Sequence, residues 1–263
     1  MSLYQQVNSS GFPLQLAIAH AVRTSRVGWD VLYEEHAWSD EDEDGFIDLV
    51  LEDQHKTWLM NIECKRVRDS EWIFLRDAKS SPERRHAKLW VTHRSPNHSY
   101  FDWVDVPMDP PAAESQFCVV RGQDPTSRPM LERIAASVVR STEALAAEEM
   151  KIVSDRYSSL RIYQNVIVTT AELKVCEVDV SKINVQKGEI DADSKFVDVP
   201  FVRFRKQLHV ASDPLPRPVT NTAELQNLVG RRESTVFVVN SAAFMQFLSA
   251  CEMSDVARCI GAR

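Results

Sequence analysis

Phe46-Ile47-Asp48-Leu49-Val50-Leu51 and, after residues 52–57, Trp58-Leu59-Met60-Asn61-Ile62-Glu63-Cys64-Lys65 decide how this chain is read. Each is a short apolar run of strand length, and the polar link around Asp53-Gln54-His55-Lys56 between them predicts a hairpin. A carboxylate inside an apolar strand is costly to bury unless something pairs with it. Here two neighbouring strands each carry one, Asp48 and Glu63.

Upstream, residues 12–23 predict an amphipathic helix, with Pro13 in its first turn and Gly28 just beyond its end. Trp29 to Trp38 reads as a strand rich in Val31, Leu32 and Tyr33, and the acidic stretch Asp40-Glu41-Asp42-Glu43-Asp44-Gly45 as a solvated turn. Downstream, residues 66–128 read as irregular apart from a strand near Lys88–Thr92, with prolines from Pro107 to Pro111. Pro129 to Arg156 is the longest helical pattern, with Leu131, Ile134, Val138, Leu145 and Val153 on one face. Two strands follow at Ile162–Thr169 and Glu172–Asp179. The prolines of Asp213–Pro218 break the chain; beyond them lie a short helix, a strand at Thr235–Val239 and a last helix around Ala243–Leu248. The order predicts one mixed α/β domain over residues 1–210, with an insertion at about 66–128, and a C-terminal extension, 211–263, packed on it.

Composition narrows the function. The 263 residues are 44% hydrophobic and 26% charged, an ordinary globular balance. No apolar run reaches the roughly 18–20 residues of a membrane span. The N-terminal run has neither the basic nor the apolar region of a signal peptide, and the five widely spaced cysteines form no CxxC pair, so unpaired thiols in a cytoplasm are the expectation. Only 7 residues are glycine, and neither GxxxxGK[ST] nor GxGxxG occurs, which argues against a nucleotide-driven motor or a dinucleotide enzyme. A net charge of −7 weighs against tight non-specific binding of nucleic acid more than against its cleavage.

Alternation projects Glu63 and Lys65 from one face of their strand, and the hairpin lets the Asp48 carboxylate approach that of Glu63. Two such carboxylates repel unless a divalent cation lies between them. Oxygen ligands with open water positions suit Mg²⁺ or Mn²⁺, which polarises a phosphoryl oxygen and lowers the pKa of bound water. An ammonium two residues from the glutamate is placed to orient that water and to stabilise the phosphorane. Asp48, Glu63 and Lys65 together therefore suit phosphodiester hydrolysis.

The pattern Phe46-Ile47-Asp48-Leu49-Val50 followed by Asn61-Ile62-Glu63-Cys64-Lys65 resembles the PD-(D/E)XK nuclease superfamily, which has the restriction-endonuclease-like fold. The motif covers residues 11–66, and the order of helix, three strands, helix and strand extends the resemblance to about residue 180. Ile47 stands where the superfamily's name has proline. The resemblance implies that Asp48 and Glu63 bind Mg²⁺ or Mn²⁺, with the Cys64 carbonyl as a further ligand, and that Lys65 serves the attacking water. Gln15 falls where many members carry a Glu or Gln that contacts metal-bound water. The expectation is a metal-dependent nuclease acting on DNA ahead of RNA, in a defence, repair or transposition system, with a protein partner for targeting and room for a homo-oligomer. Its rival is a nuclease-fold binding or scaffold subunit of a larger complex that has lost catalysis. Alanine at Asp48 is expected to abolish activity without unfolding the protein.

Other readings are weaker. Asp40 to Ile47 opens like an EF-hand loop, but its twelfth position is Leu51 and its flanks are strands. The seven histidines form no zinc spacing, and there is no GxSxG elbow. Alternation turns Cys64 away from Glu63 and Lys65, so it reads as structural. Arg66 and Arg68, then Arg84, Arg85 and Lys88 with His86 and Arg94, and then Arg203, Arg205 and Lys206 are candidate phosphate contacts or solvated surface. Tyr100, Phe101 and Trp103 are candidates for base stacking or for core packing.

Overall fold

A computed structural model describes residues 2–68, 70–95, 98–124, 127, 129–152, 159–208 and 233–253. Two helices open the chain, α1 (Leu3–Ser9) and α2 (Phe12–Thr24), followed by β1 (Trp29–Ser39), β2 (Asp44–Asp53) and β3 (Trp58–Lys65). Next come β4 (Glu71–Asp77), β5 (Arg84–Ser95), β6 (His98–Ala112), β7 (Glu114–Ser115) and β8 (Phe117–Val120), and then α3 (Met130–Ile152). The remainder is β9 (Ser159–Thr169), β10 (Glu172–Val178), β11 (Lys195–Asp198), β12 (Phe201–Gln207), β13 (Glu233–Asn240), α4 (Phe244–Ala250) and β14 (Glu252–Met253).

The main sheet runs β1-β2-β3-β9-β13-β12-β7. β1, β2 and β3 are antiparallel neighbours, while β9 is parallel to β3 and β13 parallel to β9. The predicted hairpin is formed, and Asp53 shapes its turn by accepting the main-chain N–H groups of Thr57 and Trp58 at 2.8 and 2.9 Å. A four-stranded sheet, β11-β10-β4-β8, stands apart from it.

Alternation sends the hydrophobic residues of β2 and β3 to both faces. On one, Ile18, Ala19 and Val22 of α2 pack with Leu49, Leu51, Met60, Ile62 and Cys64. On the other, Leu145 and Ala146 of α3 meet Ile47, Val50, Leu59 and Tyr163, and its first turns meet Trp72, Phe74, Leu173 and Val175 of the small sheet. Fully buried aliphatic side chains of this kind contribute about 1.5–3 kcal/mol each. A polar pin fixes α3 above the sheet: buried Asn61 donates to Val138 O, Ser141 Oγ and Thr142 Oγ1 (3.2, 2.9 and 2.7 Å), and Thr142 donates to Asn165 Oδ1 (2.6 Å).

Two readings need correction. Residues 66–128 are not irregular; they hold five strands, including the long β5–β6 hairpin. Both strands expected after α3 are formed, with β10 outside the main sheet and parallel to β4. The acidic turn is not merely solvated: Arg140 of α3 binds both Asp40 oxygens at 2.8 Å and reaches Asp42 at 3.4 Å and Glu43 at 3.0 Å. An EF-hand is ruled out there by the strands on either side.

Within the C-terminal extension, residues 233–240 form β13, hydrogen-bonded on both edges inside the main sheet. The chain break at Asp213–Pro218, the short helix after it, Val153, His209 and Cys259 lie outside the described residues. Among the described residues no helix is long and apolar enough to cross a membrane.

Candidate active site

The β2–β3 ladder runs from Glu52–Leu59 to Leu49–Ile62 and stops there. Beyond that point β3 stays paired with β9 as far as Lys65–Thr169, while β2 stays paired with β1 through Ile47–His36 and Phe46–Ala37. The two strands therefore fork where Asp48 and Glu63 stand. The Cys64 N–H, which has lost its ladder partner, donates instead to Asp48 Oδ2 at 2.6 Å. A buried amide needs an acceptor, and here a side chain supplies it.

Burial chiefly raises the Asp48 carboxyl, with Glu35 adding to the rise, while the Cys64 N–H and the Lys65 charge oppose it. Glu63 is pushed up to about 7, first by burial and then by the negative charge of Asp48, with Lys65 opposing. Two carboxylates in one partly dry fork share a single nearby cation, so each resists ionisation. Among the described residues, neither Glu63 nor Lys65 is held in a hydrogen bond or ion pair, and Asp48 Oδ1 is likewise uncommitted. Burial, then the charges of Asp48 and Glu63, push the Cys64 thiol far up, which removes it as a nucleophile.

Gln15 is aimed into the fork by α2. Its Nε2 donates to Glu35 Oε1 at 2.6 Å and to the Asp48 main-chain carbonyl at 3.0 Å, using both of its protons. Glu35 is the site residue that the sequence did not announce. It lies between the Glu34–Leu49 and His36–Ile47 pairs, across from Asp48, with φ at +50°. A left-handed residue inside a strand is strained unless it is glycine, and such strain collects at functional sites. Residue type alone carried no signal for it beyond an exposed glutamate near the hairpin.

The start of α2 also approaches a main-chain oxygen of β3. A Cβ at Gly11 would stand 3.6 Å from the Cys64 carbonyl oxygen, in contact with it, and glycine leaves that space clear. The oxygen donors at the fork are thus two carboxylates and one carbonyl. Among the described residues no three His, Cys, Asp or Glu side chains form a group that could hold a metal ion.

The basic candidates separate. Arg66 and Arg68 follow β3 directly and make no ion pair among the described residues. Their loop is pinned by Thr170, whose hydroxyl accepts from Val67 N (2.9 Å) and donates to Val67 O (2.8 Å). Arg84, Arg85 and Lys88 lie on β5, which borders β9 rather than β3, and are already neutralised by Glu114 at 3.8 Å, by Asp109, and by Asp105 at 3.6 Å. The phosphate-contact reading of those three is not supported by any contact with the fork. Arg203 is no surface residue: it is fully buried over the Phe237 ring and donates to the carbonyls of Met108 and Pro110. Trp103 is buried against Trp90, so it packs rather than stacks on bases.

Compared with known proteins, the chain matches no family model, no curated protein and no solved structure.

Proposed function

We propose that this protein is a metal-dependent nuclease of restriction-endonuclease-like fold, hydrolysing phosphodiester bonds at the β2–β3 fork. The observation that carries the reading is the gathering of Asp48, Glu63 and Lys65 where the ladder opens, with Asp48 raised by burial and the charge of Glu35, Glu63 raised by burial and the charge of Asp48, and Glu63 and Lys65 uncommitted. The fold-level support is the succession α2, β1, β2, β3, α3, β9, with three antiparallel strands and a fourth parallel to the third.

The donor set fits a hard divalent cation. Asp48 Oδ1, Glu63 and the Cys64 carbonyl would hold Mg²⁺ or Mn²⁺, water completing the shell. Such an ion supplies Lewis acidity at the phosphoryl oxygen and a lowered pKa for bound water. Lys65 donates hydrogen bonds to the attacking water and to the charge growing on phosphorus. Gln15 holds the Asp48 main chain and the Glu35 carboxylate, so the fork is fixed before substrate arrives. Arg66 and Arg68 are the basic residues best placed to meet the phosphate backbone beside it.

The test is cleavage of plasmid and oligonucleotide substrates with Mg²⁺ and then Mn²⁺, comparing wild type with Glu63→Ala and Lys65→Ala. Cleavage by wild type alone supports the enzyme. Equal cleavage by all three proteins would remove Glu63 and Lys65 from the chemistry, and silence from all on DNA and RNA overturns the reading in favour of a binding subunit.

A further inference from the structure

β3 and β9 leave the main sheet side by side. They run parallel as far as Lys65 and Thr169, and their continuations β4 and β10 resume parallel pairing in the small sheet from Glu71 and Glu172. Thr170 stands at the turn between the sheets. Its N–H donates to the Lys65 carbonyl at 3.3 Å, and its hydroxyl accepts from Val67 N at 2.9 Å and donates to Val67 O at 2.8 Å. Those three groups belong to successive peptide units, 65–66, 66–67 and 67–68. A peptide unit is planar, so holding all three leaves the backbone little rotation on either side of Arg66 and into Arg68. The anchor is itself fixed. Ala171 N donates to Thr169 Oγ1 at 3.1 Å, Asn240 Nδ2 to the Ala171 carbonyl at 2.7 Å, and Glu172 N to the Ser70 carbonyl at 3.1 Å. Val67 packs its side chain against the core shared by α3 and the small sheet.

The hydrogen bonds of the Thr170 hydroxyl are solvent-exposed, so they compete with water and add little to the stability of the fold. What they fix is the segment after Lys65, whose two arginines make no ion pair among the described residues. Other arginines, among them Arg121, Arg140 and Arg161, are held by carboxylates. In a chain of net charge −7, guanidiniums left without a carboxylate are the groups available to phosphate oxygens. A backbone fixed in advance removes part of the ordering cost that such contacts carry.

Resting on the nuclease reading above, we propose that Thr170 is a positioning residue, holding Arg66 and Arg68 as a pre-set two-point grip on the phosphates beside the scissile one. Thr170 itself does not touch substrate.

The test is a double-mutant cycle read by fluorescence anisotropy in EDTA, with labelled duplex and single-stranded DNA titrated across salt concentrations. The proteins are wild type, Thr170→Val, Thr170→Ser, the double variant Arg66→Ala/Arg68→Ala, and that double variant carrying Thr170→Val. Each is checked for an unchanged melting midpoint, with Thr170→Ala in place of valine if the midpoint falls. Loss of both arginines should weaken binding and flatten the dependence of log K on log salt by about two, one for each phosphate contact. Thr170→Val should weaken binding about 3- to 10-fold at unchanged salt slope, since the charges remain and only their arrangement is lost. It should cost nothing further once both arginines are gone, and Thr170→Ser should bind within about twofold of wild type. No loss in Thr170→Val, the same loss with and without the arginines, a serine variant as weak as valine, or a wild type that binds neither DNA would overturn the proposal. Cleavage that requires Glu63 and Lys65, with the same KM in wild type and Thr170→Val, would overturn it and leave the nuclease standing. The expected cycle without cleavage under any metal would overturn the nuclease and leave the grip.

Discussion

The Asp48 carboxylate accepts the main-chain N–H of Cys64, so a donor on β3 is satisfied by a side chain of β2 just past the last rung of their ladder. Asp48 is therefore structural, and under the proposed function chemical as well, and the two roles separate by substitution. Asp48→Asn keeps an acceptor and sheds the charge; Asp48→Ala leaves a buried amide unpaired. Both should abolish cleavage. Thermal or urea unfolding should find the alanine variant less stable than the asparagine variant by about 1–3 kcal/mol. This revises the expectation that alanine would be tolerated because it relieves repulsion. Equal stability of the two variants would remove the structural role.

Glu63 makes stability depend on pH in an unusual direction. Its carboxyl is raised from 4.5 to about 7, so between those values the folded protein holds a proton that the unfolded chain has released. Stability from this residue is full below pH 4.5 and is lost as pH rises through 7. Glu63→Gln should stabilise the protein at pH 8, by on the order of 2 kcal/mol, and do little at pH 5. Mg²⁺ should raise the wild-type melting midpoint more at pH 8 than at pH 6, because at pH 6 the proton competes for the same oxygen. A metal-induced shift independent of pH, or one that survives in Glu63→Gln, would count against Glu63 as a ligand.

Glu35 holds a backbone conformation that glycine adopts at no cost. Glu35→Gly should leave stability unchanged or raise it by up to about 1 kcal/mol, while freeing Gln15 and lowering the cleavage rate about 10- to 100-fold, as loss of a partner behind a metal ligand does. Glu35→Gln, which keeps an acceptor for Gln15, should retain more activity than the glycine variant. An inactive glutamine variant beside an active glycine variant would contradict this.

Arg140 gathers Asp40, Asp42 and Glu43, which makes the acidic turn an anchor for α3. Arg140→Ala should cost about 1 kcal/mol, less at high salt, since the carboxylates are largely solvent-facing. Calorimetry with Ca²⁺ should show no site there: Asp40→Asn should leave any metal-induced stabilisation unchanged.

The hairpin of β2 and β3, with its three motif residues, was legible because apolar alternation and a polar turn are local signals. The helices α2 and α3 were legible through their periodic apolar faces. The β5–β6 hairpin was not: in β5 the buried Ala87, Leu89 and Val91 alternate with charged or bulky residues, and in β6 three prolines imitate a break. Pairing of β10 with β4 joins segments far apart in the chain, which no local pattern records. Asp48, Glu63 and Lys65 could be singled out from type and spacing, and Gln15 only through the family resemblance. Glu35 could not, because a positive φ in a glutamate is imposed by tertiary surroundings, and neither the approach of Gly11 to the Cys64 carbonyl nor the burial of Arg203 is a local property.

β13 sits between β9 and β12, yet it is among the last strands along the chain. In the native sheet β9 pairs with β3 on one edge, and its other edge at Asn165–Thr169 is closed only by residues 233–240, which are synthesised later. Until those residues arrive, Val166, Ile167 and Val168 line an unpaired parallel edge, the kind of surface that recruits holding chaperones and aggregates without them. Parallel pairing at such separation closes slowly. The main sheet is thus completed by a strand made near the end of synthesis, and its central edge is the last to be closed.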